Sequence, residues 1–168
     1  MGFGFELAET MRGTFHRFDD PMSDHAMRID LRLGVDGIRR FARDRRIDAD
    51  GVIVAEGLAE GGGEGRALRG AITWKLLDEN RVPYALTFEG DDGATYHLRG
   101  QRDFFVYDVL GSLTTLEASL YDGSEREIGR AVLSFEPRME LPALLRSFRP
   151  RVRVDARRGR GAQARRKS

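Results

Sequence analysis

Two ionisable side chains stand where the surrounding pattern asks for apolar ones. Glu9 shares the odd parity of Phe3, Phe5, Leu7, Met11 and Phe15, and Arg102 shares the parity of Leu98 and Gly100. An ionised group on the dry face of a sheet is costly to desolvate unless an opposite charge meets it. The pattern therefore predicts that Glu9 and Arg102 meet, or nearly meet, inside the fold. Such a pair would either anchor the polar group of a ligand in an otherwise apolar cavity or hold strand register. A β-bulge that turns one of them outward is the other way to satisfy both. Trp74, Tyr84, Phe88 and Tyr96 fall on the inward parity of neighbouring strands, as core or as cavity lining, and Gly70 and Gly100 on the same face would leave room among them.

Other chemistry finds little support. His16, His25 and His97 are the only histidines, with no pair at metal-binding spacing, so no metal and no cofactor is expected. There is no cysteine, which removes disulfides and thiolate ligands. A Gly-x-Ser-x-Gly elbow is missing, and the paired carboxylates Asp19-Asp20, Asp48/Asp50 and Asp91-Asp92 fall in turn-like contexts where they stay hydrated. The glycine-dense stretch 57–65 is followed by a strand pattern, not by the Lys-Ser/Thr and helix of a phosphate loop. It reads as a mobile loop or hairpin end. Enzymatic activity is not expected.

The elements that must position these residues are strands. Leu68, Gly70, Ile72, Trp74 and Leu76 alternate with polar or small residues, as do Val82, Tyr84, Leu86 and Phe88, and then Tyr96, Leu98 and Gly100. Asp78-Glu79-Asn80 and Gly90-Asp91-Asp92-Gly93 separate the three runs, the signature of an antiparallel meander. Met27, Ile29, Leu31 and Leu33 form another strand, 52–55 a short buried one, and 113–121 and 128–135 the last two. Residues 17–25 read as loop, and Asp48-Ala49-Asp50-Gly51 as a turn. A short helix is expected near 36–43, with Ile38, Phe41 and Ala42 inward, and another near 140–148. About eight successive antiparallel strands predict an all-β up-and-down barrel, because closure removes the sheet edges. An eight-stranded interior is either filled by side chains or holds one small ligand. Lipocalins have this shape, but their Gly-x-Trp signature near the first strand is missing here.

At 168 residues the chain suits one domain, read as a barrel over 1–149 followed by a disordered basic tail over 150–168. Nine arginines and one lysine against one acid, Asp155, occupy the chain from Arg146 onward. The body is thus near −8 and the tail near +9, although the net charge is only +1. Arg151, Arg153, Arg157, Arg158, Arg160, Arg165, Arg166 and Lys167 are the candidates for nucleic-acid or anionic-surface binding, which needs only cationic side chains. No apolar run is long enough for a membrane span, no secretory leader is evident, and a cytoplasmic location is expected.

Five phrases in order, Phe5–Gly13 (FELAETMRG), Tyr84–Phe88 (YALTF), Leu98–Asp103 (LRGQRD), Leu113–Leu116 (LTTL) and Leu145–Arg149 (LRSFR), carry a resemblance. Over roughly residues 3–148 the chain resembles an accessory domain found fused to, or encoded beside, bacterial glucose-methanol-choline (cholesterol-oxidase-like) oxidoreductases. It departs from that pattern in carrying Arg102 in place of lysine. The resemblance implies a β-barrel accessory or binding module, not the flavin-binding domain. It further implies a lipid- or sterol-like ligand, or docking to an oxidoreductase partner.

Overall fold

In a computed structural model, residues 3–35, 38–73, 75, 81–103, 115–135 and 149–152 are described. They form nine strands: β1 (Phe3–Arg17), β2 (Asp20–Val35), β3 (Arg46–Ala55), β4 (Arg66–Thr73), β5 (Arg81–Glu89), β6 (Thr95–Asp103), β7 (Thr115–Tyr121), β8 (Glu127–Ser134) and β9 (Arg149–Val152). Each of the first seven pairs antiparallel with the next, and β8 pairs back onto β1, so eight strands close into a barrel. The up-and-down order predicted from the alternation is the order observed. β9 runs along Phe3–Glu6, on the same side of β1 that β8 takes along Arg12–Arg17.

Register fixes the dimensions of the barrel. Stepping from strand to strand, Leu7 leads through Leu33, Ala49, Gly70, Leu86, Leu98, Leu120 and Gly129 to Arg17, ten residues further along β1. With ordinary strand rise and spacing, that stagger over eight strands gives a tilt of roughly 40° and a backbone radius of roughly 8 Å. An interior of that width is spanned by two opposed long side chains.

The two ends differ. The connections β1–β2, β5–β6 and β7–β8, which are short, and the longer β3–β4 connection lie at one end, the hairpin end. At the other lies α1 (Ile38–Asp44), which sets Phe41 against the core. The helix falls where it was expected, although Ala42 is exposed, since a helix of seven residues turns only one narrow stripe inward. Phe15, Ile53, Leu68, Leu98 and Leu120, in the hairpin half, are each at most 1% exposed, while Phe88 and Tyr96 at its rim are 3% and 9% exposed.

Two stretches differ from the reading of the sequence, and a third, read as a mobile loop or hairpin end, is a hairpin end. Residues 20–25 belong to β2 and Arg17 to β1, so the expected loop shrinks to a turn at Phe18-Asp19. That hairpin projects beyond the core, so its side chains are largely exposed and carry no apolar period. Asp48–Gly51 is strand, with Ile47 and Ala49 buried and Asp48 and Asp50 exposed. The stretch 57–65 closes the β3–β4 hairpin in a defined conformation. The Asp91 carboxylate accepts the backbone N–H groups of Glu60 (2.7 Å) and Gly61 (2.9 Å) and the Nε–H of Arg66 (2.8 Å). Those bonds hold its pKa down at about 2. Leu58 and Ala59 are buried beneath it.

Pro150–Val152, at the start of the expected tail, lie in β9, and Arg151 with them. Residues 153–168, with Arg153, Arg157, Arg158, Arg160, Arg165, Arg166 and Lys167, lie outside the described residues, as do Trp74 and the helix expected near 140–148. Among the described residues no helix is long and apolar enough to cross a membrane.

Candidate functional site

Glu9 and Arg102 meet. An Arg102 Nη2–H donates to Glu9 Oε1 in a close ion pair, and the two residues are 7% and 8% exposed. Glu9 sits mid-β1, directly across from Leu31, and Arg102 sits on β6 across from Val82. β1 and β6 are three strands apart around the wall, so the pair crosses the interior and is not a neighbour contact along the sheet. Three further side chains complete the group. Arg102 Nη2 lies 2.9 Å from Met11 Sδ, and the guanidinium carbon lies 5.1 Å from the Tyr84 ring centroid and 6.0 Å from that of Phe135. At these distances the ring faces add electrostatic stabilisation to the cation. The Tyr84 hydroxyl, 3.4 Å from Glu9 Oε2, donates a long hydrogen bond to the other carboxylate oxygen.

Exposure separates part of this group from the rest of the core. Tyr84 and Phe135 are 5% and 8% exposed, matching the ion pair, whereas Met11 beside them and Leu68, Leu98 and Leu120 towards the hairpin end are at most 1% exposed. Residual exposure of 3–5% continues through Val82, Leu33, Val35, Ile47 and Ala49 towards the α1 end.

The predicted cavity set divides accordingly. Phe88 and Tyr96 flank the β5–β6 turn, where their rings stack at 5.6 Å and the Tyr96 hydroxyl donates to Asp92 Oδ2 at 2.7 Å. They plug the hairpin end. Gly70 and Gly100 do not open the interior. A Cβ on Gly70 would overlap the Ala85 carbonyl oxygen and sit 2.8 Å from Leu86 Cα, and one on Gly100 would overlap the Glu117 carbonyl oxygen. The space left by the missing side chains is taken by the neighbouring strand. Met11 and Phe135 join the site without having been singled out, although each shares the parity of an inward neighbour, Glu9 and Leu133 respectively.

Burial drives the Tyr84 phenol far above its ordinary value, and the nearby Glu9 charge pushes the same way against the opposing effect of Arg102. An unfolded tyrosine ionises near about pH 10. The native state keeps its proton there while the unfolded state loses it. The contribution of Tyr84 to stability is therefore whole below that pH and is lost as pH rises above it. Tyr84→Phe is expected to flatten this alkaline limb. It should also reduce by one the phenols that ionise only on unfolding, as counted by phenolate absorbance. An unchanged count would place Tyr84 in contact with water.

The histidines do not converge. His16 lies on β1, His25 on β2 and His97 on β6, where its Nδ1 is 2.9 Å from Thr87 Oγ1. Among the described residues no three His, Asp or Glu side chains come together as a metal site. On the outer wall, a shallow groove of about 460 Å³ runs past Arg99, Ser119 and Arg130, but Arg99 is paired with Glu125 and Arg130 with Glu127. Among the described residues, the buried charges are Glu9 and Arg102, and they lie inside the barrel. No protein-family model matches the chain, and no curated protein matches its sequence.

Proposed function

We propose that the protein is a non-catalytic binding module whose barrel takes up one small, mostly apolar molecule from the α1 end, with its polar atom at the Glu9–Arg102 pair. The observation that carries this reading is a buried ion pair crossing an otherwise apolar interior. An ion pair is a poor way to stabilise an apolar core, since well-packed apolar residues do as well or better. It is a good way to orient a guest, because a few polar groups in an apolar cavity supply specificity. The group contains no acid–base pair aimed at a reacting atom, and this supports binding without turnover. A lipid- or sterol-like guest, or a role beside an oxidoreductase, is the form that the family resemblance gives to the same reading.

Native mass spectrometry of protein purified from its own host, with titration of the single tryptophan's fluorescence by an apolar probe, tests it. A retained small mass or saturable one-to-one uptake is expected. Neither being found at micromolar protein would remove the proposal. The alternative, polyanion binding, rests on the basic excess after Arg146. Because residues 149–152 are part of the sheet, the discriminating truncation starts at Arg153. It should abolish any salt-sensitive polyanion binding and leave uptake of the small molecule intact.

A further inference from the structure

We infer that the projecting tip of the β1–β2 hairpin is a docking site for the basic segment 153–168 of a second copy of this chain. Three large apolar side chains are exposed among the described residues, and two of them, Phe18 (46%) and Met22 (93%), stand on this tip. The backbone that presents them is tied down. The Phe18 N–H donates to the Ile128 carbonyl oxygen at 2.9 Å, and the β1–β2 pairing runs on to Arg17 and Asp20. Between the Phe15–His25 and Arg17–Asp20 pairs, four residues of β2 face one of β1, so Pro21–Asp24 form a bulge. β3 pairs with β2 only from Met27 onward, which leaves this part of β2 with no strand on that side. Exposed aromatic and thioether side chains on an unpartnered piece of sheet mark a surface for another protein segment.

Charge selects the occupant. Residues 17–25, 56–66, 89–95 and 121–127, the connections of the hairpin end with their flanks, hold twelve Asp and Glu against three Arg. The acid excess of the body, near −8, therefore lies wholly at this end. On the tip, Asp20 and Asp24 are exposed, and neither meets a cationic side chain among the described residues. Residues 153–168 carry seven cations, six of them Arg, against the single acid Asp155. Arginine suits such a surface, since its planar guanidinium pairs with carboxylates and stacks on aromatic faces.

Reach selects a second copy. β9 runs antiparallel to β1 and ends with Val152 opposite Phe3, at the far end of β1 from the tip. The 15 residues of β1 put about 46 Å between that point and the tip. Residues 153–168 span roughly 55 Å when fully extended. Reaching the tip of their own barrel would hold nearly all of them straight, at a large cost in chain entropy. The tip of a neighbouring molecule imposes no such condition. None of this depends on what the interior holds.

Sedimentation equilibrium of the full chain, freed of nucleic acid as judged by absorbance, tests the contact at about 50 mM and about 500 mM salt. At low salt the weight-average mass should exceed 18.9 kDa and rise with concentration, and at high salt it should return to 18.9 kDa. Removing residues 153–168 should abolish the association. Phe18→Ser with Met22→Ser should weaken it at least about tenfold, and so should Asp20→Lys with Asp24→Lys. All four positions are exposed, so both variants should keep the melting temperature of the unaltered chain. The decisive arm mixes the truncated chain, which keeps the tip, with the Phe18→Ser, Met22→Ser chain, which keeps the segment. Neither should associate alone, and together they should form a one-to-one pair and nothing larger. A monomeric full chain at low salt overturns the inference. So does association that survives truncation or is indifferent to both tip variants. Association that needs added nucleic acid also overturns it and assigns the segment to polyanions. A mixture that stays monomeric would place the segment on its own barrel, which overturns it as well.

Discussion

Arg102→Met is expected to destabilise the barrel by about 3–5 kcal/mol, because it leaves the Glu9 carboxylate buried without its counter-charge. For a chain of this size that corresponds to a fall in melting temperature of roughly 10 °C. Glu9→Gln should cost a comparable amount by taking the carboxylate away from a buried guanidinium, whose further contacts include a thioether sulfur at 2.9 Å and two aromatic faces. The two substitutions together should recover most of the loss, since removing both charges also removes the desolvation of each. Chemical denaturation of the four proteins gives the coupling energy directly. An exposed ion pair is worth about 0–1 kcal/mol. Single substitutions costing no more than that would mean that water reaches the pair freely, and the interior site would lose its basis. The sign of the double variant carries the functional point. A pair that can be replaced by apolar isosteres without loss is not needed for folding, and its presence then calls for another role.

Gly51→Ala and Gly70→Ala are expected to destabilise by at least about 3 kcal/mol each, against the usual direction of such a change. Replacing glycine by alanine where the backbone allows it stabilises by about 0.4–1 kcal/mol through the unfolded state. At Gly51, however, the new Cβ would overlap the Asp30 carbonyl oxygen and lie 3.1 Å from Leu31 Cα. At Gly70 it would overlap the Ala85 carbonyl oxygen. Both collisions are with the backbone of a paired strand, so no rotamer change relieves them and the ladder itself must shift. Gly34 on β2 is the internal control. Nothing lies within 4 Å of a Cβ built there, so Gly34→Ala should be neutral or slightly stabilising. Equal melting temperatures for all three variants would show that the wall is less tightly coiled than the structure has it. The physical content is that these inward glycines are the places where a strongly coiled sheet folds in on its neighbour.

Much of this architecture is legible in the residues. Period-two alternation at Met27–Leu33, Val82–Phe88 and Tyr96–Arg102 reports the dry face directly, because successive side chains on a strand point to opposite sides. The same rule marked Glu9 and Arg102 as inward charges. It failed at Asp20–His25 and Asp48–Gly51, where strands run past the core or carry turn-forming residues on the wet face, so that composition and periodicity disagree. It also misjudged Gly70 and Gly100, since a missing side chain looks like space until the neighbouring backbone is placed. The stretch 57–65 was readable as a hairpin end, but its anchoring by Asp91 was not, because that carboxylate lies about 30 positions away in the chain.

Taken alone, the order of residues determined that this chain makes an antiparallel barrel and that two opposite charges face its interior. Only the closed structure decided that those charges meet. Alternation reports which side of the wall a residue faces, but not its height or its angle around the barrel. Those follow from a stagger of ten residues over eight strands, which brings positions 93 residues apart to one level on nearly opposite walls. That stagger is a property of every strand pairing at once, so no single segment of sequence carries it.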